Sequence, residues 1–452
     1  MEQAISSSGQ HFLPITDTSH EPDPHPAEGC GCDAAVPTKD LIAVLHRAAL
    51  DAVFGATPAR RTVLRMLGGA TGLAVLDTIF PLRALEAMAQ ESAKPENAEL
   101  TIGFIAITCS TPLVVADKLG FFREHGLDVE LVRTPGWGAI RERLANDQYE
   151  ASHVLTPLPL AMQLGVGGAA KPAALSLVQN TNGNSIALAM KHKDNRDPKN
   201  WKGMTFAVPF DISMQNLLLR YYLAEQGLDP DKDVTIKAVP PPEMAANLKA
   251  GILDGFLAPD NAAQLAVHNG AGFIHLVSKE IWDGHPCCGI AVQPALIKEA
   301  PNTYLAIARA LIKSSAHVAN AENRREAAQI AADQKYINIP GEVAEAVLTG
   351  TFEDGLGNRK TVANRIDFQS FPYHSMAVWM LTQMKRWGFV KGEIGYKQLA
   401  EQVFRAVDAQ KLLKEAGLDA PATTYVTHTI MGKTFDAGQA AAYLDGFAIK
   451  KA

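Results

Sequence analysis

The feature that most constrains this chain is an alternation of short apolar runs with helically spaced stretches, begun near Leu100 and begun again near Met204. Residues 100–107 are β-branched and apolar over the length of a strand, and they end in the polar turn Thr108-Cys109-Ser110-Thr111-Pro112. Residues 113–122 then carry helical spacing, with Pro112 where a first turn accepts it and His125-Gly126 as the stop. A second strand is expected over 127–132. Strand, helix and strand in that order make a right-handed βαβ unit built on parallel pairing.

The pattern predicts a helix over 140–146, a strand over 151–155, a helix opening at Pro159, and strands over 173–179 and 185–190. It restarts with a strand at 204–208, a helix at 216–226, a strand at 234–239, a helix at 244–251, and strands at 255–257 and 272–277. Beyond about residue 300 it turns mainly helical. The fold class is therefore α/β: two doubly wound lobes, 98–195 and 196–280, with a return to the first lobe and a helical C-terminal extension over 281–452. Open α/β sheets bind ligands beyond the carboxyl ends of their strands, so an interlobe cleft is where function is expected.

Several function classes are excluded on the residues. A formal net charge of -6 offers no footprint for nucleic acid, so none is expected as a partner. There is no Walker A loop, no glycine fingerprint between a first strand and its helix, no Gly-x-Ser-x-Gly elbow and no His-Glu-x-x-His pair. Ahead of the folded part, residues 1–57 are rich in Ser, His, Pro and Asp and are expected to be disordered. Residues 58–90 read as an export leader like a twin-arginine signal. Arg60-Arg61 precede a Gly/Ala/Leu run, and small residues stand at Ala87 and Ala89. A periplasmic chain, cleaved or tethered at the inner membrane, is the expectation; an amphipathic cytoplasmic helix is the alternative. His20, His25, Cys30 and Cys32 include metal-ligand types, but Cys-Gly-Cys lacks the spacing of a zinc site.

Seven short segments in one order carry a resemblance: residues 100–112, Gly136-Trp137-Gly138, residues 151–159, residues 180–184, Leu219-Arg220-Tyr221-Tyr222-Leu223, Pro240-Pro241-Pro242-Glu243-Met244 and Phe371-Pro372-Tyr373. Together, over about residues 98 to 400, they resemble the nitrate- and bicarbonate-binding proteins of ABC transporters. The resemblance implies a type II periplasmic binding fold with a small anion (nitrate, nitrite, cyanate or bicarbonate-like) held between the lobes. It also implies a permease and an ATPase as partners, and no chemistry on the ligand. A cytoplasmic anion sensor of the same fold is the alternative. A third reading, an enzyme sharing the fold, would have to use His285 with Cys288.

By that resemblance Trp137 lies against the planar anion, and Gly138 lets backbone amides approach it; the alternative for Trp137 is packing into the lobe surface. Thr156 opens the loop after a strand, as a ligand donor or a turn cap. Asn184 matches a position where an amide reaches the anion, although Asn182-Gly183 explains a turn there without any ligand. Two cationic family positions are replaced: one reads Gln215, and the other falls at or near Cys288 in His285-Pro286-Cys287-Cys288. His285, if protonated, would compensate. Asp260 would repel an anion unless a cation joins it. No resident cofactor is expected. A divalent ion on Asp260, His285 and Cys288, calcium for instance, is the variant considered, against which stands the preference of calcium for oxygen. Cys287 and Cys288 can also be a packed pair.

Overall fold

A computed structural model describes residues 94–451. The expected N-terminal extension, the leader at 58–90, and the His20, His25, Cys30 and Cys32 group lie outside the described residues. Among the described residues no helix is long and apolar enough to cross a membrane.

The first sheet is built on β1 (Glu99–Phe104), β2 (Asp128–Arg133), β3 (Ala151–Leu155) and β4 (Ala174–Asn182). The second holds β5 (Asn184–Ala189), β6 (Thr205–Val208), β7 (Thr235–Ala238), β8 (Gly255–Pro259) and β9 (Gly272–Val277). The chain then returns to the first sheet with β10 (Pro286–Val292), and the short strand Ile366–Asp367 caps its edge. Strand order is Ile366–Asp367, β4, β10, β3, β1, β2 in one sheet and β7, β6, β8, β5, β9 in the other. This is the two-lobed α/β architecture with a helical extension that the alternation predicts.

Parallel pairing links β1 to β2 and β3, and β6 to β7 and β8. Each sheet is nevertheless mixed, because β5 and β10 enter antiparallel to both neighbours. These strands carry the chain across between lobes. The first crossing is abrupt: Asn182 and Gly183 both take positive φ, 57° and 77°, and the next residue opens the second sheet. Change of sheet therefore falls at Gly183, ahead of the expected boundary at 195/196, because a strand broken by a left-handed pair can continue into another sheet without a loop. A Cβ at Gly183 would sit 2.8 Å from Ile366 Cγ1 and 2.9 Å from Asn180 Nδ2, so glycine is required for space as well as conformation.

Strand β10 is not foreseen by the periodicity, since Pro-Cys-Cys-Gly has weak β character and starts on a residue without an N–H. Tertiary pairing with two strands decides it. Helix α1 (Thr111–Leu119) follows β1 with Pro112 in its first turn and ends on left-handed Gly120. Helix α2 (Trp137–Ala145) follows β2, α3 (Pro157–Gln163) follows β3, and α4 (Met214–Glu225) follows β6, capped by Ser213, whose hydroxyl accepts the Asn216 N–H at 3.0 Å. Helices α5 (Pro241–Lys249) and α6 (Asp260–His268) complete the second lobe. In the extension, helix His374–Arg386 packs on both α3 and α4, with Trp379 fully buried against Trp282 at 4.7 Å. One apolar core thus joins residues of both lobes to the extension.

Candidate functional site

Where β2 ends, the chain turns through Pro135-Gly136 into α2, and this turn forms one wall of a cavity of about 610 Å³. Ile105 and Trp137 face it from the first lobe; Phe210, Pro240 and Asn261 face it from the second. Three helices of nine residues open on it, α2 at Gly136 and Trp137, α5 at Pro240–Pro242, and α6 at Asn261 and Ala262. The N-termini of α2 and α6 offer backbone amides and partial positive charge, which favours an anion, whereas α5 opens on Pro240-Pro241-Pro242 and has no N–H at those positions. Arg133 adds a full charge to the wall; its guanidinium donates to the carbonyls of Gln334, at 2.8 Å, and Tyr336. Both acceptors are neutral, so the positive charge is not cancelled there.

Trp137 is 3% exposed, lies 5.6 Å centroid to centroid from the ring of His153, and has an indole N–H with no protein acceptor. A buried unpaired donor costs about 1–3 kcal/mol, which a ligand acceptor would recover. Gly138 is exposed in the first turn of α2, and a Cβ there would meet no protein atom within 4 Å.

The other expected residues gather around one thiol. The Gln215 amide donates to Asn184 Oδ1 at 2.7 Å and to Cys287 Sγ at 3.4 Å. Asn184 spends its own N–H on the Asn182 carbonyl at 3.1 Å. Thr156 donates both its backbone N–H and its hydroxyl to the Cys287 carbonyl, each at 3.1 Å, so the hydroxyl holds strand β10 and is not a free ligand donor. Gln215 Oε1, both ring nitrogens of His153 and both polar atoms of Gln179 are buried without protein partners. They concentrate unsatisfied polarity in this part of the molecule.

Two electrostatic expectations are corrected. His285 is fully buried, its Nδ1–H directed at the Pro286 carbonyl (3.2 Å) and its Nε2 accepting from Ser278 Oγ (2.8 Å). Burial pushes its pKa down against the pull of Cys287, so it is a neutral strut and supplies no compensating charge. Asp260 does not face an anion as a bare carboxylate. Its Oδ2 accepts from Arg365 Nε at 3.0 Å, its Oδ1 accepts the Ser185 hydroxyl, and both ion-pair partners are fully buried. Arg365 is the joining cation, contributed by the segment just before Ile366–Asp367 and not visible as such in the sequence. With Asp260 and His285 engaged, the expected divalent site on Asp260, His285 and Cys288 does not form.

What the fold assembles in its place is a trio of thiols. Cys109, from the turn after β1, meets Cys287 at 3.6 Å, and Cys287 meets Cys288 at 3.7 Å. All three are fully buried. Burial raises the thiol pKa of Cys109 and of Cys288. Cys287 is buried too, but the hydrogen bonds it receives from the other two thiols outweigh burial and hold it below the ordinary range.

Comparison with known proteins gives a consistent picture. A sequence model of the NMT1-like family matches residues 93–332. Over 397 residues the chain is 29% identical to the nitrate/nitrite binding protein NrtA of Nostoc sp. strain PCC 7120, covering 81% of this chain and 90% of that one. Over 332 residues it is 32% identical to the nitrate import ATP-binding protein NrtC of Synechocystis sp. strain PCC 6803, covering 69% of this chain and 49% of that one. The chain thus spans about half the length of the ATP-binding relative. The crystal structure of the periplasmic nitrate-binding protein NrtA from Synechocystis PCC 6803 superposes with a TM-score of 0.76 at 25% identity, over 79% of this chain and all of that one.

Proposed function

The chain belongs to the NMT1-like family, and from that membership and the chemistry of its cleft we propose that it is the solute-binding component of an ABC importer. It takes a small anion of the nitrate, nitrite, cyanate or bicarbonate kind between its lobes and presents it, unreacted, to a permease driven by an ATPase. The observation that carries this reading is one cavity, walled by both lobes, on which the N-termini of α2 and α6, Arg133 and Trp137 converge. Local charge of this kind suits a small anion in a protein whose overall charge is negative. Pairing of Asp260 with Arg365 removes the one carboxylate at the head of α6 that would oppose it.

Binding that contacts both lobes favours their closed arrangement by the difference in affinity between closed and open forms. Export through the leader at 58–90 places the receptor in the periplasm in this reading, which cell fractionation with detection of a shortened chain tests. The ligand is tested by calorimetry of the purified protein against nitrate, nitrite, cyanate and bicarbonate, each with and without calcium. A single site for at least one of these anions is expected. Absence of heat for every anion, with the protein folded, refutes the anion assignment.

A further inference from the structure

Beyond the anion cavity, we infer that Cys109, Cys287 and Cys288 form a fully buried three-thiolate site for one soft, thiophilic metal ion where β10 meets the turn after β1. Their three sulfurs lie within 4.8 Å of one another, with two of the separations at 3.6 and 3.7 Å. Sulfurs about 2.3 Å from a shared ion in a trigonal plane stand roughly 4 Å apart, so one ion fits with side-chain adjustments of a few tenths of an ångström. Sequence distance between Cys109 and the vicinal pair hides the cluster. Pairing of β10 with β3 next to the β1 turn creates it.

The donor set selects the class of ion. Hard ions such as calcium or magnesium need several oxygen ligands, and the nearby carboxylate of Asp260 is committed to Arg365 and Ser185. Among the described residues the group of possible ligands at this point contains sulfur alone, and His285 holds Ser278 and a carbonyl. A structural zinc ion asks for four ligands, whereas monovalent copper suits few, soft, thiolate donors. Each cysteine that ligates passes its proton to solvent, and no electron is exchanged.

The surroundings supply the outer shell such a site requires. Gln215, on α4 in the second lobe, points an amide N–H at Cys287 Sγ from 3.4 Å, while the three thiols sit on elements of the first sheet or the turn after β1. An amide donor offsets part of the thiolate charge and orients the ligand. A filled site would therefore be linked to the second lobe through Gln215.

The test uses the full chain, reduced and anaerobic, with Cys30→Ser and Cys32→Ser introduced so that those thiols cannot contribute. Cu(I) is supplied from a competing chelator, and bound metal and ultraviolet thiolate-to-copper absorption are read together. One equivalent with that absorption is expected, together with a rise in the thermal midpoint. Cys287→Ser should abolish both, and Gln215→Leu should weaken copper binding about 10- to 100-fold while leaving the stoichiometry at one. Cys109→Ser and Cys288→Ser provide further checks should Cys287→Ser fail to fold. Unaltered copper binding in all three folded serine variants overturns the site. So does a mass lower by two hydrogens with no metal bound, the mark of a disulfide within the trio. Anion calorimetry on the same samples separates the two sites: loss of copper with anion binding retained refutes this inference alone.

Discussion

Replacing Arg365 with leucine tests the buried pair that makes the cavity tolerant of negative charge. Both Arg365 and Asp260 are 0% exposed, with Nε and Oδ2 3.0 Å apart. The guanidinium also donates to Gln264 Oε1 at 2.9 Å and lies 3.9 Å from the Phe352 ring centroid. At an effective dielectric constant of about 20, two unit charges at that separation attract by roughly 5 kcal/mol, an amount that desolvation of both groups largely offsets. Removing one partner abolishes the attraction but leaves the Asp260 carboxylate buried, for an expected loss of about 3–5 kcal/mol. Urea unfolding followed by tryptophan fluorescence measures it. Asp260→Asn combined with Arg365→Leu should be less destabilised than the sum of the single changes, with a coupling of about 1–3 kcal/mol. Because Asn261, adjacent to Asp260, lines the cavity, Arg365→Leu should also weaken anion binding in calorimetry run where the variant is still folded. A loss under about 1 kcal/mol, or strictly additive variants, would refute the argument that this pair is coupled and charged.

Three further outcomes follow from single features. Trp137→Phe keeps an aromatic ring but removes the unpaired indole N–H; stability should change by less than about 1.5 kcal/mol while anion affinity falls roughly 10- to 100-fold by calorimetry. His153, His275 and His428 are each brought down to about 4 by burial. The unfolded chain therefore binds more protons than the folded one between pH 4 and 6.5, and unfolding free energy should fall as pH drops through that window, by an amount on the order of 3 kcal/mol per histidine at full effect. Denaturant titrations at a series of pH values check this, and a flat profile over the window contradicts neutral burial. Gly183→Ala places a Cβ at positive φ against Ile366 and Asn180, so a loss of more than about 1 kcal/mol is expected in the same unfolding assay.

Much of the fold is legible from period and punctuation. Strands expected at 151–155 and 272–277 coincide with β3 and β9, and those expected at 127–132, 204–208 and 234–239 differ from β2, β6 and β7 by a residue at one end or both. Apolar β-branched runs bounded by turns state their local preference directly. Helix α4 is likewise marked by the spacing within it, although it begins at Met214, two residues ahead of the expected start. Strand β10 is not marked, because its partners β3 and β4 supply the hydrogen bonds that its own residues do not advertise.

The candidate site divides the same way. The sequence by itself determines which loops follow strands, and so places Asp260 after β8, while Trp137 and Gln215 come forward through the resemblance to the nitrate- and bicarbonate-binding proteins. It does not determine what each side chain meets there. Only the tertiary structure brings Arg365 from 105 residues away to neutralise Asp260, turns His285 into a neutral strut, and sets Cys109 against a cysteine 178 residues on. The physical reason is one of range. Secondary structure follows from interactions within a few residues, whereas charge compensation and ligand clusters depend on desolvation and on distances of 3–4 Å, which exist only once the lobes have packed.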